Sequence, residues 1–194
     1  MTTANAATTS AYTELCSLQR RGATLGSIGS LLGWDQETYM PAHASAFRAD
    51  QQALMAELTH QQRTHPRVGE LLAACEGDRA LLGDGARAAN LREMRRDYDL
   101  ATKLPTALVA DLARATSQAQ EVWKDARAKS DYAMFRPALE RVMDLTREKA
   151  RCLGGGAGAR EIYDALLDEY EPGMTAARCS GSSRMRQTSS GPAA

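Results

Sequence analysis

Six side chains are all the β-branched aliphatic residues that this chain can offer a sheet: Ile28, Val68, Val109, Val122, Val142 and Ile162. A strand needs branched or aromatic residues on alternate positions to fill a pleated face, and six spread over 194 residues cannot supply one. Ala, Leu, Arg, Glu and Gln, which lose little on entering a helix, are abundant instead. The fold class is therefore read as all-α, an antiparallel array of helices.

Leu15, Leu18, Leu25, Ile28 and Leu32 recur at threes, fours and sevens, which predicts a first helix from about Ser10 to Trp34. Pro41 has no N–H and pushes Met40 away from helical geometry, so the chain breaks between Thr38 and Pro41. Phe47, Leu54, Met55 and Leu58 mark a second helix that ends before His65 and Pro66. Pro66 suits the first turn of a short third helix carrying Val68, Leu71, Leu72 and Cys75, and Gly83-Asp84-Gly85 reads as a turn. Leu91, Met94, Tyr98 and Ala101 place a fourth helix between Ala86 and Thr102. Pro105 starts a fifth, with an apolar face of Leu108, Leu112, Ala115, Ala119, Val122, Trp123 and Ala126. Asp131 is a natural N-cap for a sixth, which bears Leu139, Val142, Met143 and Leu153.

The expected organisation is a flexible N-terminus over residues 1–9 and a helical region over 10–153. A glycine-rich joint at 154–158 leads to a short helix over Glu161–Tyr170, the two making up residues 154–175, and a disordered tail covers 176–194. From Ala177 onward there is no Leu, Ile, Val, aromatic or acidic residue but five serines, so that tail has no core face.

Lys plus Arg equals Asp plus Glu at 24 each, which leaves no net field to draw nucleic acid or an anionic membrane. The Arg92, Arg95 and Arg96 cluster is interleaved with Glu93, Asp97 and Asp99 and reads as a mixed solvated face. Cys16, Cys75, Cys152 and Cys179 are scattered, without zinc-ribbon or disulfide-framework spacing, and are read as reduced thiols. No apolar run approaches a membrane span and Met1 to Ser10 lacks a signal-peptide pattern, so a cytoplasmic protein without nucleic-acid or membrane partners is expected.

Few residues suggest chemistry. Glu57 and His60 share the Glu-x-x-His spacing of di-iron bundles, but no second copy accompanies them, and a surface pair is the expected role. His43 and His65 stand beside prolines, where turn or capping roles are expected. Asp35 and Glu37 in Trp34-Asp35-Gln36-Glu37 offer two carboxylates within one turn, open to an acid/base reading. The structural reading is preferred, with Trp34 anchoring the helix in a core while the carboxylates bond at the helix end or to other helices. Lys103 carries the same ambiguity. The glycines of 154–158 lack the Lys-Ser/Thr of a phosphate loop, and no nucleophile motif occurs.

Four segments taken together resemble the carboxypeptidase Taq family of metallocarboxypeptidases. They are Trp34-Asp35-Gln36-Glu37-Thr38 with Met40-Pro41; Asn90-Leu91-Arg92-Glu93 with Arg95-Arg96-Asp97-Tyr98; Ala101-Thr102-Lys103-Leu104-Pro105; and the stretch from Tyr163 through Asp168 and Glu171 to Thr175. The resemblance covers about Tyr12 to Thr175. It implies a large helical peptidase, usually a homodimer, that releases single residues from peptide C-termini in a deep cleft, with this segment forming its N-terminal cleft wall and 154–175 leading towards the catalytic part. It also implies zinc or another divalent ion held by a His-Glu-x-x-His helix and a later glutamate, since two histidines one turn apart face the same ion.

Here the only histidines are His43, His60 and His65, and no pair has that spacing. No catalytic or metal-binding residue is therefore assigned, and the matching residues Trp34, Asp35, Gln36, Glu37, Arg92, Arg96, Asp97, Tyr98, Lys103, Tyr163, Asp168 and Glu171 are read as structural. The expectation is an N-terminal fragment, inactive by itself and without bound metal, with a helical interaction module as the alternative. The compositional break after Thr175 is what a shifted reading frame would produce, and the resemblance is expected to stop there.

Overall fold

The computed structural model describes residues 2–156 and 161–180, with residues 2–9 described by their backbone alone. In chain order the elements are α1 (Thr2–Thr38), a 3-10 turn (Ala42–Ala44), α2 (Ser45–Arg63), α3 (Pro66–Glu76), α4 (Arg79–Gly83), α5 (Gly85–Ala101), α6 (Thr106–Lys129), α7 (Tyr132–Cys152) and α8 (Asp164–Leu167). No strand occurs among the described residues. The chain divides into two compact units, residues 1–142 and 143–194.

Local chemistry sets most of the boundaries. Pro41 and Pro105 precede helices with extended backbone, and Pro66 sits in the first turn of α3, where an N–H would have no partner. Asp84 accepts from the backbone N–H groups of Ala86 and Arg87 to cap α5, and Asp131 accepts from Met134 N–H at the start of α7. His65 caps α3 through its Nδ1, which accepts from Arg67 N–H at 3.1 Å. Ser130 ends α6 in the left-handed region (φ 53), offering its N–H to Arg127 O while Asp131 N–H reaches Ala126 O.

Several expectations require correction. α1 begins at Thr2, well before Ser10, because the Thr/Ala-rich start continues a helix already nucleated by the residues behind it. Arg79–Gly83 forms a helix that the periodicity did not reveal; Asp78 caps it and Leu81 is its buried anchor. The turn expected at 83–85 is correspondingly compressed into Asp84. The seventh element is shorter than Glu161–Tyr170, and residues 176–180 are helical where a disordered tail was expected, with Ser180 Oγ bonded to Ala176 O. Residues 157–160 of the expected joint and 181–194 of the expected tail lie outside the described residues.

In residues 1–142 the main apolar core joins α1, α3, α4 and α5 through Leu15, Val68, Leu71, Leu72, Cys75, Leu81 and Leu91. Tyr98 on α5 closes one side of it, and Gly69 on α3 makes that approach possible: a Cβ there would lie 2.6 Å from the Tyr98 hydroxyl and 3.0 Å from its Cζ. Burial pushes the Cys75 thiol up from its ordinary value, as its place in this cluster requires. A second contact region sets α2 between α1 and α6 and buries Ala49, Ala53, Leu108 and Ala119.

In residues 143–194 the chain turns on one carboxylate. Asp164 is buried and accepts from the N–H groups of Glu161 at 3.2 Å and Ala176 at 2.7 Å, tying residues 161 and 176 to one carboxylate. Lys149 pairs with Glu169 at 2.8 Å. Gly155 has no room for a side chain, since its Cβ would meet Ala150 O at 2.7 Å and Ile162 O at 2.9 Å.

The Gly69 contact gives a prediction with a sign change. Gly69→Ala is expected to destabilise the chain by about 1–3 kcal/mol through overpacking against Tyr98. In a Tyr98→Ala background the same substitution is expected to be stabilising by up to about 1 kcal/mol, because Ala is the better helix former. Urea unfolding of the four proteins checks this, and equal effects in both backgrounds would refute the contact.

Candidate functional site

Consecutive helical residues point about 100° apart, so the last turn of α1 aims its side chains at different neighbours. Asp35 turns to α2 and pairs with Arg48 (Nη2–Oδ2, 2.5 Å), while Arg48 Nη1 also donates to Leu32 O at 2.5 Å. Gln36 turns to α6 and is buried. Its Nε2 donates to Ser117 O at 3.1 Å and Glu121 Oε1 at 3.0 Å, and Ser117 Oγ donates back to Gln36 Oε1 at 2.9 Å. Glu37 accepts from Gln120 and pairs with Lys124 at 3.4 Å.

This turn carries the negative end of the α1 dipole, and α1 has no basic residue of its own there. The cations come from other helices: Arg48 at Leu32 O and Lys124 at Gln36 O, the latter 3.5 Å away. Thr38 Oγ1 takes Trp34 O, and the N–H groups of Tyr39 and Met40 take Asp35 O. The helix end is thus capped by side chains from α2 and α6 together with its own following residues.

Burial pushes the Glu121 carboxyl up, but hydrogen bonds from Lys124 and Gln36 outweigh it and hold its pKa below the ordinary value. Burial also pulls Lys124 down, and its hydrogen bond and charge pairing with Glu121 and Glu37 win and raise its pKa. Both groups stay charged through neutral pH. Asp35 and Glu37 face different helices and each pairs with its own cation, so they do not converge on a common reacting atom.

Trp34 does not anchor a core. It is 55% exposed and stands edge-on to Tyr39 with ring centroids 5.6 Å apart. The core side of this turn is held by Gln36, because α6 presents Ser117 to it. Nor do Glu57 and His60 form a surface pair. His60 is buried with Nδ1 3.0 Å from Thr106 Oγ1 and Nε2 3.0 Å from Ala101 O, while Glu57 accepts from Gln61. Both ring nitrogens of His60 join α2 to the α5–α6 connection, and none is left for a metal.

On α5, Arg92 is exposed, Arg96 is half-buried, and Tyr98 packs beside Gly69 with the Arg95 guanidinium over its ring at 5.8 Å. Arg95 forms a two-point pair with Glu76 at 2.8 Å. Asp97 and Tyr98 line a shallow cavity of about 220 Å3 with Gln19, Ala23 and Arg63. Lys103 is exposed in the turn before α6. In the second unit Tyr163 is exposed, Asp168 accepts from Gly173 N–H at 2.8 Å, and Glu171 O accepts from Met174 N–H. Among the described residues no three His, Cys, Asp or Glu side chains come together in a way that could hold a metal ion.

The residues that complete the α1 end are Arg48, Ser117, Gln120, Glu121 and Lys124, and no sequence motif announces them. Ser117 lies 81 positions from Gln36, so only the tertiary fold, with α2 packed on both α1 and α6, reveals the pair.

The profile of the carboxypeptidase Taq (M32) metallopeptidase family matches residues 14–184, past the expected stop at Thr175. Thermostable carboxypeptidase 1 of Thermus thermophilus is 43% identical over 173 residues, which are 86% of this chain and 34% of that protein. Among solved structures, Trypanosoma cruzi metallocarboxypeptidase 1 superposes with a TM-score of 0.67 at 34% identity, over 89% of this chain and 34% of its own. The M32 carboxypeptidase of Deinococcus radiodurans R1 gives 0.68 at 31% identity, again over 89% and 34%. The chain spans about a third of the length of these relatives.

The α1–α6 junction can be dissected by unfolding. Gln36→Leu and Ser117→Ala are each expected to cost about 1–3 kcal/mol, because each leaves a buried polar partner unsatisfied, and together less than the sum. Glu121 has a lowered folded pKa, so its contribution is full above the ordinary 4.5 and disappears as pH falls through the lowered value. Lys124 has a raised folded pKa, so its contribution is full below 10.5 and disappears as pH rises through the raised value. The stability gap between the natural chain and Glu121→Gln should therefore be present at pH 6–8 and close in acid. A gap that widens below pH 4.5 would contradict the pairing.

Proposed function

The chain belongs to the carboxypeptidase Taq (M32) metallopeptidase family, and from that premise we propose that it is the N-terminal, helical wall of a metal-dependent carboxypeptidase. In this reading the whole peptidase releases single residues from peptide C-termini, pairs as a homodimer, uses zinc or another divalent ion, and works in the cytoplasm. The isolated chain does not hydrolyse peptides.

One observation carries the reading. The chain has three histidines, none spaced as His-Glu-x-x-His. His60 has both ring nitrogens in hydrogen bonds that join helices, and His65 uses Nδ1 to cap α3. The residues present therefore do not fit a catalytic zinc, which needs three converging protein donors and an open position. No reaction step is assigned to any of them. The family match, which runs over most of the chain while covering about a third of its relatives, supports a wall segment over an independent enzyme.

A helical interaction module without catalysis is the second reading, favoured by the large apolar side chains left in solvent on α1 and α2. No described helix is long and apolar enough to cross a membrane.

The test is release of C-terminal residues from peptides by the purified chain with zinc or cobalt added, alongside metal analysis after dialysis. No release and no stoichiometric metal are expected. Chelator-sensitive cleavage with one bound ion per chain would sink the proposal.

A further inference from the structure

The apolar residues that mark α2 in the sequence are not the ones that α2 buries. Ala49, Ala53 and His60 face its neighbours, whereas Phe47, Leu54 and Leu58 are 67%, 54% and 39% exposed. At about 100° per residue these three fall within about 40° of one another, on the side of the helix opposite the buried trio. α1 repeats the pattern, with Leu31 and Trp34 in solvent while Leu15 and Gln36 are enclosed. A surface helix ordinarily has a single apolar side. Two helices that pack together thus each carry a second apolar row that the rest of the described chain leaves in solvent, which is apolar surface that calls for a cover.

The lengths of the relatives indicate what covers it. The matched segment is 34% of the Thermus thermophilus protein and 31% of the Pyrococcus furiosus one, so roughly two-thirds of each polypeptide lies outside it. We propose that the outer rows of α1 and α2, Leu31 and Trp34 with Phe47, Leu54 and Leu58, are the docking surface for the remaining two-thirds of an M32 chain. This rests on the reading of the chain as a wall segment. A second copy of the segment is the rival occupant, but a partner on the same polypeptide sits at an effective concentration of about millimolar, whereas a second copy must be recruited from dilute solution.

The experiment compares two proteins: this chain alone, and this chain joined in frame to the unmatched two-thirds of the Thermus thermophilus relative. Leu54→Cys is labelled with a maleimide and the modified site read by peptide mass. Leu82→Cys on α4, another exposed position, serves as the reference. Labelling of residue 54 should be at least about tenfold slower in the joined protein, with residue 82 unchanged, and fast and concentration-independent in the chain alone. Equal rates at residue 54 in both proteins overturn the proposal. Protection that rises with the concentration of the isolated chain also overturns it, in favour of a second copy.

As an independent readout, Phe47→Asp and Leu58→Asp should lower the melting temperature of the joined protein and leave that of the isolated chain nearly unchanged. Equal losses in both would mean that the row is structural within the segment, and would refute docking. Neither readout uses metal or turnover, so catalysis by the isolated chain would sink the proposed function while residue 54 still reported what covers α2.

Discussion

A helix satisfies its backbone within four residues, so in a chain built of helices only side chains can fix one element against another. Here that constraint bears most heavily on the end of α1. Its last-turn carbonyls and its dipole call for cations that its own sequence does not provide, and Arg48 from α2 and Lys124 from α6 provide them. Gln36 adds a reciprocal pair of hydrogen bonds with Ser117. Apolar burial is non-directional, whereas a buried amide matched donor to acceptor admits one arrangement. α2 packs on both helices, and this junction adds a matched polar contact that pins the end of α1 against α6.

Helix existence was legible because its causes are local. Pro41, Pro66 and Pro105 break or start helices through their own missing N–H and fixed φ, and Asp131 caps through a side chain three residues away. α4 was missed because five residues cannot display a helical period; the signal available was Asp78 followed by Leu81 and Leu82. The start of α1 was missed because a Thr/Ala-rich stretch has no apolar stripe, although it can extend a helix already formed.

Which side a helix buries was much less legible, and α2 shows why. Its bulkiest apolar residues mark the helix in the sequence without saying which side it buries, and close packing against α1 and α6 selects small residues, Ala49 and Ala53, together with His60. Hydrophobic size and burial parted company because interhelical distance decides which volumes fit. The same separation misplaced Trp34, whose neighbour Gln36 holds the core position. The residues of the family resemblance were visible as a pattern, but their partners lie on other helices tens of residues away, and no local spacing encodes them.

Two features of the segment, independent in origin, bear on one another. Among the described residues, the lack of converging metal donors depends on how few histidines there are and how the fold engages His60 and His65. The exposed rows depend on where Leu and Phe stand on α1 and α2. A helical protein with no constraint but its own solubility would carry polar residues at 47, 54 and 58, on the side of α2 turned away from its buried residues. Keeping Phe and Leu there exposes apolar surface to water, a standing liability that is removed only when another surface covers it. On the proposed reading, a wall segment that packs on a separate, metal-bearing part would need that surface and no metal of its own, so the one proposal accounts for both features.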